Sequence, residues 1–96
     1  MIVRWLASAR HDVISIARHI ATENPLAATR MAQELLIAGD SLASFPHRGR
    51  PGLAQGTREL VAVWPYLIVY RIDPSAQIVR IIRVWHGAQD RFGGIP

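Results

Sequence analysis

TRELVAVWPYLIVYRIDPSAQIVRIIRVWH, residues 57–86, is the stretch on which the fold turns. Residues 57–63, 66–72 and 77–85 are dense in Val, Ile and aromatic side chains, the types that fit a pleated, half-buried surface. Trp64-Pro65 and Asp73-Pro74-Ser75-Ala76 separate them. Such short breaks predict turns between antiparallel neighbours, and so a three-strand meander. Residues 66–72 are apolar on both faces, which predicts a central strand covered on both sides.

Upstream of the meander, HRGRPGLAQG, residues 47–56, reads as a loop rich in Gly and Arg. Before that loop the period changes. Ala9, Val13, Ile16, Ala17 and Ile20 recur at helix spacing, with Asp12, Ser15, His19 and Thr22 on the opposite, polar side. Ser8 is the expected N-cap of this helix, which should stop near Glu23. Asn24-Pro25 opens a second helix, because Asn caps free amides and Pro lacks the amide that would be unpaired at the first position. Its core face is Ala28, Met31, Ala32, Leu35, Gly39 and Leu42, and it should end by Phe45-Pro46. Two helices with almost no loop between them form an antiparallel hairpin. Residues 2–5 form a short apolar stretch suited to an edge strand.

The expected order is β-α-α-β-β-β, a single α+β domain over residues 1–96 with the helical hairpin packed on a small antiparallel sheet. The hairpin covers one face of that sheet, so part of the other face calls for shielding by something else, such as a partner. Half of the 96 residues are apolar, enough for one core. No run spans a bilayer and no signal segment is visible, so a cytoplasmic protein without membrane attachment is expected. There is no cysteine, and no pair of His11, His19, His47 and His86 has metal-ligand spacing, so neither metal nor cofactor is expected.

The net charge is +4 and all eleven basic residues are arginine. Arginine forks pair with phosphate and carboxylate, so an acidic partner is indicated, either nucleic acid or an acidic protein segment. In adjacent strands Arg58, Glu59, Tyr70, Arg71, Arg80, Arg83, Trp85 and His86 can converge with Arg91 on one patch. That patch could hold phosphates and stack bases. It could also cleave RNA without a metal, which needs a base, an acid and a cation for the phosphorane charge; Glu59, His86 and Arg83 are of those types. The plainer alternative is that Arg58–Glu59 and Arg71–Asp73 are surface ion pairs, that Tyr66, Tyr70 and Trp85 belong to the core, and that His86 is structural.

Several motifs in fixed order carry a family resemblance. These are Trp5 with Ala9 and Asp12, Asn24-Pro25 with Ala27-Ala28, Phe45-Pro46, Gly49-Arg50-Pro51-Gly52, and Gly56-Thr57-Arg58-Glu59-Leu60-Val61. Pro65-Tyr66-Leu67-Ile68-Val69-Tyr70-Arg71 and Ile81-Ile82-Arg83-Val84-Trp85-His86-Gly87-Ala88-Gln89 complete the set. From Trp5 to Arg91 the chain resembles the RelE/ParE toxin superfamily, also called plasmid stabilisation proteins. The resemblance implies the same β-α-α-β-β-β fold. It also implies the toxin half of a bacterial toxin–antitoxin pair, whose antitoxin carries a disordered segment that folds onto the toxin.

RelE-like members cut mRNA on the ribosome, and ParE-like members inhibit DNA gyrase. RelE-like nucleases tend to carry an arginine just before the Val-Tyr pair of the second meander strand, where this chain has Leu67 and Ile68. They also tend to carry a tyrosine and several bases in the tail, where this chain has Arg91 alone and no tyrosine. The run Arg83 to Gln89 looks like the ParE branch. The resemblance therefore implies a gyrase-binding toxin with Arg58, Arg71, Arg83, Trp85, His86 and Arg91 as its target surface. An mRNA endonuclease using Arg58, Arg83 and His86 is the alternative, and a member that only binds its antitoxin is a third. Leu26, Arg30, Gln33 and Ile37, with Ser41, form a stripe on the second helix opposite its core face, the expected antitoxin surface.

Overall fold

Asn24 and Pro25 start the second helix as their chemistry requires. In the computed structural model, which describes residues 1–87, the Asn24 Oδ1 accepts from the Ala27 amide at 3.0 Å and Pro25 opens helix α2 (Pro25–Asp40). A 3₁₀ turn, Ser41–Ala43, follows. Helix α1 (Ala7–Ala21) begins differently from expectation. Its N-cap is Leu6, without a side-chain hydrogen bond, and the Ser8 hydroxyl instead donates to the Ile82 carbonyl at 2.6 Å. The reason is tertiary: strand β1 (Ile2–Trp5) runs straight into the helix, and the Leu6 amide still donates to Ile81 at 2.9 Å.

Ala9 and Val13 of α1 and Ala28, Leu35 and Gly39 of α2 are buried, as the helical periods predict; Ala38, outside the predicted face, is buried as well, and Met31 and Ala32 are half-buried. Gly39 is required for packing. A Cβ there would collide with the Trp5 ring, whose Nε1 donates to Asp40 at 3.0 Å.

The hairpin packs on one five-stranded sheet of order β1-β5-β4-β3-β2. Its other strands are β2 (Arg50–Pro51), β3 (Arg58–Val63), β4 (Tyr66–Asp73) and β5 (Ile78–His86). The α+β expectation holds, but the sheet is mixed: β1 pairs with β5 in parallel, while the meander and β2 are antiparallel. Strand β2 lies inside the expected loop, and two residues are too few to show a period.

β4 is central, and both its faces are buried. Ile68 and Tyr70 join the core beneath the helices, where Leu60, Val79, Ile81 and Val84 surround them. Leu67 and Val69 point the other way and are 1% and 7% exposed, with Trp85 and Arg83 as register partners. These two residues are thus buried within the chain, and the expected shielding by a partner is not needed for them. Full burial of such side chains contributes about 1.5–3 kcal/mol each.

A β-bulge sets which β5 side chains face the helices. Tyr70 pairs with Ile81 and Val69 with Arg83, so Ile82 is the extra residue. The bulge re-aims the strand: Ile81 and Val84 enter the core while Arg83 and Trp85 project from the far face.

Candidate functional site

Beyond Trp5, β1 no longer covers the edge of β5, and helix α1 takes over that role with side chains. Ser8 donates to the Ile82 carbonyl and Asp12, one turn on, accepts from the Val84 amide at 2.8 Å. An open edge would otherwise present unpaired backbone groups. The same Asp12 carboxylate takes two bonds from Arg83, from Nε at 2.8 Å and Nη2 at 3.1 Å. The Arg83 guanidinium also lies 5.3 Å from the centre of the Trp85 ring. Asp12 was expected on the polar, outward side of α1. Its side chain is only 13% exposed, because the β5 edge, not solvent, lies against that side of the helix.

Register places Arg83 in a row with Val69, Glu59 and Arg50 across four strands. Glu59 is 3% exposed and accepts from Arg50 Nε at 3.2 Å. The surface pairs considered from sequence are not the ones formed: Glu59 pairs with Arg50, and Asp73 with Arg80 at 3.1 Å.

Arg58 faces the other way. It is paired with the core residue Tyr70, and its Nη2 donates to the carbonyls of His47 and Gly49. Tyr70 reinforces this latch: its hydroxyl donates to Pro46 at 2.7 Å and accepts from the Gly49 amide at 2.9 Å. Arg58 thus holds the loop that precedes β2.

His86 pairs with Tyr66 and packs edge-on against its ring, 5.7 Å between centres. Cross-strand partners share a face, so His86 lies on the helix side with Val84, opposite Arg83 and Trp85. Along β4, the partners of His86 and Arg58 are four residues apart, Tyr66 and Tyr70, which is about 13 Å of strand. Arg83, Arg58 and His86 therefore do not gather at one point. Arg71 is exposed on the far face and donates to Gln55 at 3.1 Å. Arg91 lies outside the described residues.

On the helical side, Leu26 and Ile37 are 80% and 70% exposed, and Arg30 and Gln33 lie exposed between them. Ser41, at the end of this stripe, is half-buried, and its hydroxyl donates to Ala38 and accepts from Arg48. Next to the stripe, Ala17, Ala21, Ala28, Ala32 and Leu36 line an apolar groove of about 500 Å³ between the helices. A smaller hollow of about 270 Å³ joins Glu34 and Ile37 to Arg48, Ala62 and Val63, where β3 runs past the end of β2.

Comparison with known proteins accords with this architecture. The model of the family described as the ParE toxin of the type II toxin–antitoxin system parDE matches residues 3–91. Toxin RelE2 of Caulobacter vibrioides is 46% identical over 88 residues, covering 91% of this chain and 96% of the relative. Toxin RelE1 of the same organism is 34% identical, covering 86% and 89%. A structure of the chromosomal ParDE system of P. aeruginosa superposes with TM-score 0.80 at 23% identity, covering 90% of this chain and 95% of that one. A chain of the RelBE2 toxin–antitoxin complex of Mycobacterium tuberculosis superposes with TM-score 0.67 at 26% identity, covering 88% and 95%. By fold, order of motifs and sequence, the chain belongs to the ParE/RelE family of type II toxin–antitoxin toxins.

Proposed function

We propose that this toxin works by binding, as an inhibitor of DNA gyrase, and that a cognate antitoxin neutralises it. The observation that carries this reading is the separation of Arg58, Arg83 and His86 over two faces of the sheet. Metal-independent cleavage needs its acid and base within about 3 Å of the same reacting group. A single residue pair on one face suits binding better. Arg83 and Trp85 are stacked together and fixed by Asp12, and Arg and Trp are the side chains that most often anchor protein interfaces. Arg71 lies on the same face and extends the surface. Arg91 is assigned to it by its place in the sequence. The site would lie in the cytoplasm, and no described helix is long and apolar enough to cross a membrane.

The similar structures come from a ParDE system and a RelBE2 complex, which supports an antitoxin partner here. We assign its docking to Leu26, Arg30, Gln33 and Ile37, continuing into the adjoining groove and hollow. A segment with apolar anchors and acidic flanks fits this mixture of aliphatics and arginine.

The second reading, an mRNA endonuclease, is favoured by the names of the RelE1 and RelE2 relatives. Purified toxin added in parallel to a gyrase supercoiling reaction and a translating ribosome extract separates the two. Loss of supercoiling with intact mRNA is the expected result. Codon-phased mRNA cuts with normal supercoiling would replace the first reading by the second, and silence in both would leave a chain that only binds its antitoxin.

A further inference from the structure

On the far face of the sheet, one rung along from Arg83 and Val69, three arginines stand side by side. Arg4 of β1 is the register partner of Arg80 of β5, and Arg80 is the partner of Arg71 of β4. All three project from the face opposite the helices, because Val3, Val79, Ile81, Tyr70 and Ile72 beside them point into or against the core. Like charges directly opposite one another in a sheet are destabilising. Among the described residues the ion pair made by the row is that of Arg80 with Asp73. Arg71 is anchored by the Gln55 carbonyl, and Gly56 (φ +80°) leaves room for it, since a Cβ there would lie 2.7 Å from its Nη1. Arg4 is exposed, and its side chain makes no hydrogen bond or ion pair among the described residues.

We propose that the Arg4–Arg80–Arg71 row binds the phosphate backbone of duplex DNA. Adjacent strands are spaced about 4.8 Å apart, so the row spans about 10 Å, the rise of roughly three phosphates along one strand of a duplex. Guanidinium forks suit phosphate oxygens bidentately. The row contains no aromatic ring; Ile2 and Ile78 flank it, and Trp85 lies further along β5. It can therefore grip a backbone but offers no platform for stacked bases, which favours a duplex over a single strand. An acidic protein segment would offer carboxylates without the regular spacing of a duplex. The site is separate from the helical stripe assigned to the antitoxin and shares Arg71 with the surface assigned to the target.

The test is fluorescence anisotropy of the full chain with a labelled 20-base-pair duplex over a range of salt. Comparison chains are Arg4→Gln, Arg4→Gln with Arg71→Gln, and Arg10→Gln with Arg18→Gln, the last removing equal charge from α1. Arg4→Gln disturbs no described contact, so its fold is safe, and circular dichroism checks the others. Each lost phosphate contact should make the slope of log K against log salt shallower by about 0.9. The expected result is thus a change of about 0.9 for the single variant and about 1.8 for the row pair, with at least tenfold weaker binding by the row pair at low salt. The helix pair should bind like wild type. Equal loss in both pairs would reduce the effect to net charge and overturn the proposal. So would unchanged binding by the row pair, tighter binding of the single strand than of the duplex, or binding of poly-glutamate without binding of duplex.

Discussion

Asp12 and Arg83, 71 residues apart in the chain, are joined by two hydrogen bonds of 2.8 and 3.1 Å, and the same carboxylate closes the β5 edge through the Val84 amide. One side chain thus seals the sheet, ties α1 to it and aims the arginine assigned to target binding.

Replacing Asp12 tests that double duty. Asp12→Ala removes a charged acceptor from three N–H donors, two on the half-exposed Arg83 and one at the Val84 amide, and a hydrogen bond to a charged group contributes about 1.5–3 kcal/mol. A loss of about 2–3 kcal/mol is expected in urea unfolding. Asp12→Asn keeps an acceptor for the Val84 amide and should lose less. Equal, negligible losses in both variants would mean that the edge closure contributes nothing.

Tyr70→Phe should release the loop that Arg58 and Tyr70 hold. The hydroxyl bridges the Pro46 carbonyl and the Gly49 amide from a fully buried ring, so its loss leaves a buried amide unpaired. The expected cost is about 1–3 kcal/mol. Faster hydrogen exchange at Gly49, with the helical amides unchanged, would locate the effect in this loop.

Stability should fall on acidification partly through Asp73. The Ala76 amide, the Arg80 guanidinium and the Ser75 hydroxyl, in that order, hold its carboxyl below the usual value of 3.8. A carboxyl with a lowered folded pKa binds fewer protons in the native state. Its stabilising contribution is therefore present above the unfolded pKa and is lost as pH falls through the folded one. Thermal unfolding followed from pH 7 to pH 2 should show a shallower acid decline for Asp73→Asn than for wild type.

Ile37→Glu should weaken antitoxin binding at least tenfold in titration calorimetry, by placing a charge where an aliphatic anchor is assigned. Because Ile37 is 70% exposed, the fold should not change. Unaltered affinity would make the helical stripe ordinary surface.

Much of the fold is legible in the residues themselves. The Asn24-Pro25 cap, the helical periods and the three β-rich runs are local signals, and each appears where it should. What is not legible depends on contacts distant in sequence. Ser8 reads as a cap and Asp12 as a solvent-facing polar residue until the β5 edge is beside them. The parallel pairing of β1 with β5 joins the two ends of the described chain, and no local pattern encodes it. The candidate patch is a mixed case. Simple alternation already separates Arg58 from Glu59, adjacent residues on one strand. The face of Arg83, however, depends on the bulge at Ile82, which has no signature in the run Ile81-Ile82-Arg83. The family is legible in the ordered motifs, whereas the convergence of Arg58, Arg83 and His86 that their residue types suggest is not formed.

The most direct measurement is a gyrase supercoiling titration with the wild-type chain and with Arg83→Ala, both first shown by circular dichroism to be folded and by calorimetry to bind antitoxin. Inhibition by wild type, relieved by antitoxin and lost in Arg83→Ala, is the expected result. Undiminished supercoiling at saturating wild-type toxin, or inhibition that Arg83→Ala leaves intact, would contradict a binding toxin working through the far face of the sheet.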